Sequence, residues 1–329
     1  MRASIRQLSC GVAIAAGLAV ASTAQAQIAL KFGHIVGTDH AIHIGATAMA
    51  EHIAKCTNGT VKLDIFPGGQ LGNESALIDQ TRLGGVDFAN TGAGFLSRNY
   101  APLGISSLPY AFRDRDHALA YAKSPVLREL MDNWEKATGQ ILLSAYYSAA
   151  FHVYAQEAYE KPEQLKGKKI RVPDAPAWMV FYRAVGANPL PMALGEVYLG
   201  LRQGVVEGTN MPLAVGYSMK LHEVSKVINM TYHQMEIALL VAGQALKGRL
   251  NPAQWKCVEE AGKVYAATAE KEIVRSEDAL RTEMTQKNLV KFVDVDLAAY
   301  RAATASVIAD RVKSGEFTQA LVDRVNAIK

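Results

Sequence analysis

Cysteine is scarce in this chain: three occur among 329 residues, and one of them, Cys10, sits in the leading segment. Neither Cys56 nor Cys257 has a Cys neighbour at ligand spacing, which excludes the usual zinc frameworks. The two either join, if their Cα atoms come within about 7 Å in an oxidising compartment, or remain buried thiols. An excess of one charge is missing as well. Lys and Arg number 35 against 31 Asp and Glu, and no block of like charges occurs, so neither nucleic acid nor a membrane surface is expected as the main partner. Beyond the leader no run approaches the roughly 18 apolar residues of a membrane span, so no stable membrane anchor is expected. Catalytic signatures are absent too, with no Gly-x-Ser-x-Gly elbow and no His-Glu-x-x-His pair. Gly92-Ala93-Gly94 opens like a dinucleotide fingerprint, but the third glycine and the surrounding β-α-β unit are missing, so no cofactor is expected.

What the chain does have begins with a leader. Arg2 and Arg6 precede an apolar stretch from Cys10 to Ala21, and Ala24-Gln25-Ala26 supplies a small-x-small cleavage pattern. This predicts a secretory signal peptide over residues 1–26 and a mature protein outside the cytoplasm. Leu8-Ser9-Cys10 is a poor lipoprotein signal, because its cysteine precedes the apolar core instead of following it. Loss of Arg2 and Arg6 lowers the formal charge from +4 to +2. The remaining roughly 300 residues suffice for two cores at about 100 to 200 residues per domain.

The pattern along the chain is β-α-β-α-β. Ile28 to Phe32 reads as a strand, Ile42 to Ile53 as a helix, and Val61 to Phe66 as a strand ended by Pro67-Gly68-Gly69. Asn73 stands where a helix cap belongs before Ala76 to Leu83, Gly84-Gly85 ends that helix, and Val86-Asp87-Phe88 starts another strand. The rhythm restarts with Ile141 to Tyr147, Lys169 to Val172, helices at 177–185 and 194–203, and a strand near Val205-Val206. Past Asn251-Pro252 the composition turns to long helix, Glu259 to Lys287, about 45 Å of it, which would strut across more than one small domain. Tyr146 to Glu160 is the expected crossing from one domain to the other. The fold class read from this is α/β, with largely parallel sheet covered by helices and two domains hinged by several strands. The expected division is 27–148 plus 237–276 for the first domain and 149–236 plus 277–329 for the second.

Few residues invite chemistry. His34, His40 and His43 cluster beside Asp39, but a metal site wants three or four ligands with supporting groups, and a solvated helix start accounts for the pair at 40 and 43. His34 ends the first strand, where α/β clefts gather ligand contacts. Thr91 and Gly92 form a turn that suits either close backbone approach to a ligand or a bare tight turn. Arg171 lies in a short apolar strand that Pro173 terminates, so it faces solvent or a cleft, and its planar fork can grip a carboxylate by two hydrogen bonds.

The run Gly186-Ala187-Asn188-Pro189-Leu190-Pro191-Met192, followed by Glu196-Val197-Tyr198-Leu199-Gly200-Leu201 and Gln203-Gly204-Val205-Val206-Glu207-Gly208, resembles the core signature of solute-binding subunits of tripartite ATP-independent periplasmic (TRAP) transporters. Ile170-Arg171-Val172-Pro173 is the companion motif. Leu30-Lys31-Phe32-Gly33, Phe66-Pro67-Gly68-Gly69-Gln70-Leu71-Gly72, Gly85-Val86-Asp87-Phe88 and Leu108-Pro109-Tyr110 extend the similarity over the whole mature chain. The resemblance implies a periplasmic-binding-protein-like fold, two α/β domains with an interdomain cleft and a long spanning helix, a small organic acid as ligand, and the TRAP membrane subunits as partners. It implies that Arg171 binds the ligand carboxylate, with further contacts near Glu74, Thr91, Gly92, Asp174, Asn210 and Met211. Two departures stand out. Gly208-Thr209-Asn210-Met211-Pro212 replaces the Gly-Gln-Glu-Asn-Pro run of many relatives, and Ala149-Ala150-Phe151-His152 replaces a second arginine in the crossing strand.

With one arginine, a monocarboxylate is expected over a dicarboxylate, since burying a second unpaired charge costs several kcal/mol. Asn210, Asp174 and Glu74 would read hydroxyls, Phe151, Met211 and Trp178 would form an apolar wall, and His152 or His34 would stand in for the second arginine if either points inward. A uronate or aldonate is the first expectation; an aromatic or branched-chain oxo or hydroxy acid is the second. An enzyme, such as a periplasmic hydrolase or lyase, would have to draw on Asp174, Glu74 and the histidines, which show no acid–base pairing. A binding subunit for an ATP-driven importer or a sensor kinase shares the same cleft logic.

Overall fold

The computed structural model describes residues 27–329; the signal-peptide reading falls on residues 1–26, outside the described residues. Among the described residues nine strands form one mixed sheet: β1 (Ile28–Gly33), β2 (Val61–Phe66), β3 (Phe88–Gly92), β4 (Ile141–Ala155), β5 (Lys169–Val172), β6 (Asn188–Pro191), β7 (Gly208–Pro212), β8 (Val227–Ala242) and β9 (Lys291–Asp294). Their order is β2-β1-β3-β8-β4-β7-β5-β6, with β9 beside β8. β1 pairs in parallel with β2 and β3, and β5 in parallel with β6 and β7. Helix crossovers explain both groups, because parallel neighbours cannot be joined by tight turns.

The two parallel groups are joined by β4 and β8, antiparallel strands of 15 and 16 residues. At about 3.3 Å per residue each spans roughly 50 Å. The C-terminal part of β8 pairs with β3, and the C-terminal part of β4 pairs with β7, so each long strand belongs to both halves. The Tyr146–Glu160 crossing is thus a strand through Ala155. The register of β4 against β8 shifts three times, once between Tyr147 and Ala149, and such bulges bend a strand and re-aim its side chains.

Sequence caps set the helices. Asn73 accepts from the Ala76 amide at 3.0 Å, and Gly84, at φ 80, closes the helix Glu74–Leu83 in the left-handed region that glycine enters without a Cβ penalty. The long helix runs over 35 residues, Pro252–Gln286, about 52 Å. It starts earlier than its Ala, Glu and Lys content suggests because Asn251 and Gln254 cap each other reciprocally, at 2.8 and 3.0 Å, with Pro252 in the first turn. The expected strand at Val205-Val206 is instead a turn: Gly204 has φ 71, Val205 is exposed, and the strand begins at Gly208. Val206 is apolar because it plugs the core beneath that turn.

Cys56 and Cys257 are joined, with Cα atoms 6.1 Å apart. The bridge ties the end of the helix Ala41–Cys56 to the first turns of the long helix.

Candidate functional site: a closed cleft around Arg171

The cavity lies where the two halves meet, has a volume of about 110 Å³, and receives side chains from both sides. β5 delivers Arg171, which is 3 % exposed. Its Nε donates to the Met192 carbonyl at 2.9 Å, and among the described residues no hydrogen bond takes up its two terminal NH2 groups. Burial, opposed by the nearby Glu74 carboxyl, pulls the guanidinium down to about 10; it stays charged at neutral pH. Glu74 enters from the opposite half, at the start of the helix capped by Asn73, and lines the same cavity. Burial raises its pKa while Arg171 lowers it.

Trp178, Phe151 and Phe95 make an aromatic wall: the Trp178 ring lies 4.7 Å from Phe151 and 6.4 Å from Phe95, centroid to centroid. Thr91, Gly92 and Met211 also line the cavity. Gly92 has a definite steric reason to be glycine, because a Cβ there would overlap the Glu236 carboxyl.

Four anticipated residues lie outside the lining. Asn210 is fully buried on β7, and its Oδ1 sits 2.9 Å from His233 Nε2 and 3.2 Å from the Tyr182 hydroxyl; its neighbour Met211 takes the cavity face because adjacent strand residues point oppositely. Asp174 is largely exposed, and its carboxylate is 3.5 Å from Arg98. His34 is buried with its Nε2 3.1 Å from His43 Nδ1, and burial with the neighbouring histidines lowers its pKa to about 4. His152 does not replace the second arginine: it lines a separate cavity with Arg113, Arg281 and Arg301. His40 caps its helix through Nδ1, 3.2 Å from the Ile42 amide. No group of three or more His, Cys, Asp or Glu among the described residues is placed to hold a metal ion.

The sequence reading missed Glu236, Glu277, Asn90 and Phe95, all on the lining. Glu236 is 4 % exposed, and burial pushes its carboxyl up to about 8, opposed by its Gln234 hydrogen bond and by the nearby polar groups of Gly94, Ala93 and Ser107. A lone acid heading the apolar run Ile237–Ala242 was the available signal. Glu277 accepts from the Ala150 amide at 2.8 Å and the Tyr147 hydroxyl at 2.9 Å; on a long charged helix nothing distinguished it. At the rim the halves touch again, Ser218 donating to Asp39 at 3.1 Å and Arg98 to the Asp174 carbonyl.

The model of the bacterial extracellular solute-binding proteins, family 7, matches residues 32–314. The chain belongs to this family, the solute-binding proteins of TRAP transporters. A solute-binding protein of Roseobacter denitrificans is 30% identical over 311 residues, covering 92% of this chain and 93% of that one. The family fold is matched by a TRAP periplasmic solute-binding protein of Polaromonas sp. JS666 bound to D-erythronate, with 27% identity, TM-score 0.86, and 92% and 99% of the two chains covered. It is matched also by one of Xanthobacter autotrophicus Py2 bound to β-D-galacturonate, with 26% identity, TM-score 0.84, and 91% and 100% covered. The fold is therefore the two-domain α/β cleft of TRAP periplasmic binding proteins. The family binds small organic acids and works with TRAP membrane components. Among the described residues no helix is long and apolar enough to cross a membrane.

Proposed function

We propose that this chain is a periplasmic, non-enzymatic binding subunit that captures a monocarboxylate sugar acid, a uronate or aldonate, for a TRAP transporter. The observation that carries the reading is Arg171: a buried cation in the cleft, anchored at Nε and with both terminal NH2 groups available to a carboxylate. Enclosure strengthens that pair, since Coulomb attraction grows as water is excluded. Met211 and the aromatic wall suit the apolar face of a sugar ring, and relatives that hold erythronate and galacturonate support the class. The same wall favours, as a second reading, an aromatic or branched-chain oxo or hydroxy acid. Closure between the halves commits the ligand, and the membrane subunits would favour the open form.

Calorimetry against a panel of organic acids tests this. Arg171→Lys should weaken binding at least about 100-fold while leaving the melting curve close to wild type, because an ammonium cannot reproduce the two-point grip. Unchanged affinity would refute the clamp. Recovery of bound acid unaltered and in stoichiometric amount is expected; product formation would turn the reading toward an enzyme.

A further inference from the structure

The crossing strand carries no arginine in the run Ala149–His152, yet the cavity floor at that level is not apolar. Ala149 is the cross-strand partner of Glu236, and directly opposed residues of an antiparallel pair share a face. Glu236 Oε2 accepts from Gln234 Nε2 at 3.0 Å. Its Oε1, together with Thr91 Oγ1 and Trp178 Nε1, is buried without a hydrogen-bond partner among the described residues. All three residues line the cavity that holds Arg171. Gly92 and Gly94 lack the Cβ atoms that would crowd Glu236 and the Trp178 indole. An unpaired buried polar atom is costly, and three beside one cavity mark a place where a partner is expected.

We propose that Glu236, Thr91 and Trp178 form a specificity subsite that reads hydroxyl groups of the ligand and rejects a second carboxylate, an inference that rests on the carboxylate reading of Arg171. The indole only donates, whereas a threonine hydroxyl and a neutral carboxyl both donate and accept. A ligand hydroxyl satisfies each of them. A carboxylate would satisfy the indole but meet the Glu236 oxygens with no cation among the groups that act on them. Burial keeps Glu236 neutral at pH 7, its pKa pushed up to about 8.

Calorimetry at pH 7 with D-erythronate and D-galacturonate as hydroxylated probes, butyrate as the bare chain and succinate as the diacid tests the subsite. Wild type should favour the better hydroxylated probe over butyrate and over succinate by at least about 100-fold. Glu236→Met should lose about 10- to 100-fold on that probe and nothing on butyrate, whereas Glu236→Gln should keep it within about fivefold, because an amide also donates and accepts. Equal binding of hydroxylated probe and butyrate, full retention in Glu236→Met, or equal loss in Glu236→Gln and Glu236→Met overturns the subsite and leaves the Arg171 reading standing. Binding of none of the four acids overturns the sugar-acid reading and the subsite with it.

Discussion

Glu74 and Arg171 reach one cavity from opposite halves of the molecule, and among neighbouring charges Glu74 contributes most to keeping the buried guanidinium protonated. In the free protein it serves as the counter-charge that a ligand carboxylate would rival. Glu74→Gln should therefore tighten carboxylate binding, by up to about tenfold, while lowering the stability of the ligand-free protein by about 1–3 kcal/mol. Calorimetry and thermal melts measure the two effects. A tenfold loss of affinity would instead place Glu74 in direct contact with the ligand.

The Cys56–Cys257 bridge closes a loop of 201 residues in sequence, and neither cysteine lines the cavity. Replacing both by serine should cost about 2–5 kcal/mol, mostly by freeing the unfolded chain, and lower the melting temperature by roughly 5–10 °C. Ligand affinity should stay within about twofold. A melting temperature equal to wild type would mean that the bridge constrains nothing the fold does not already hold.

His40 gives a pH dependence with a definite sign. Burial lowers its pKa from the usual 6.5 to about 4, with Asp39 opposing. Between those values the unfolded chain binds the proton and the folded one does not, so this contribution to stability is complete above about pH 6.5 and is lost as pH falls toward 4. His40→Asn keeps an N-cap and cannot titrate. Melts without ligand should show the variant losing less stability than wild type over that window, by about 1.4 kcal/mol per pH unit. Parallel curves for the two proteins would rule out the buried neutral imidazole.

Arg171 could be read because its motif places a cation in an apolar strand that a proline ends, and Thr91 and Gly92 because they close another strand at the cleft edge. Asn210 and Asp174 were placed by motif alone. The direction of a side chain depends on which face its strand presents, and β7 turns Asn210 toward His233 and Tyr182. Strand β8 escaped notice: VINMTYHQMEIALLVA mixes Asn229, Thr231, His233, Gln234 and Glu236 with apolar residues although nearly every position is buried, and only its end, Ile237–Ala242, reads as the continuous apolar run of a strand covered on both faces.

The sequence by itself determined the family, the helix caps, the parallel β-α-β groups and the arginine in the apolar strand before Pro173, because each is written in residues close together along the chain. Only the tertiary structure decided that Glu236 stands opposite Ala149, that Phe95 joins Phe151 around Trp178, and that His34 and His152 turn elsewhere. Those facts depend on register between strands separated by many residues, and register is set by packing of the whole sheet.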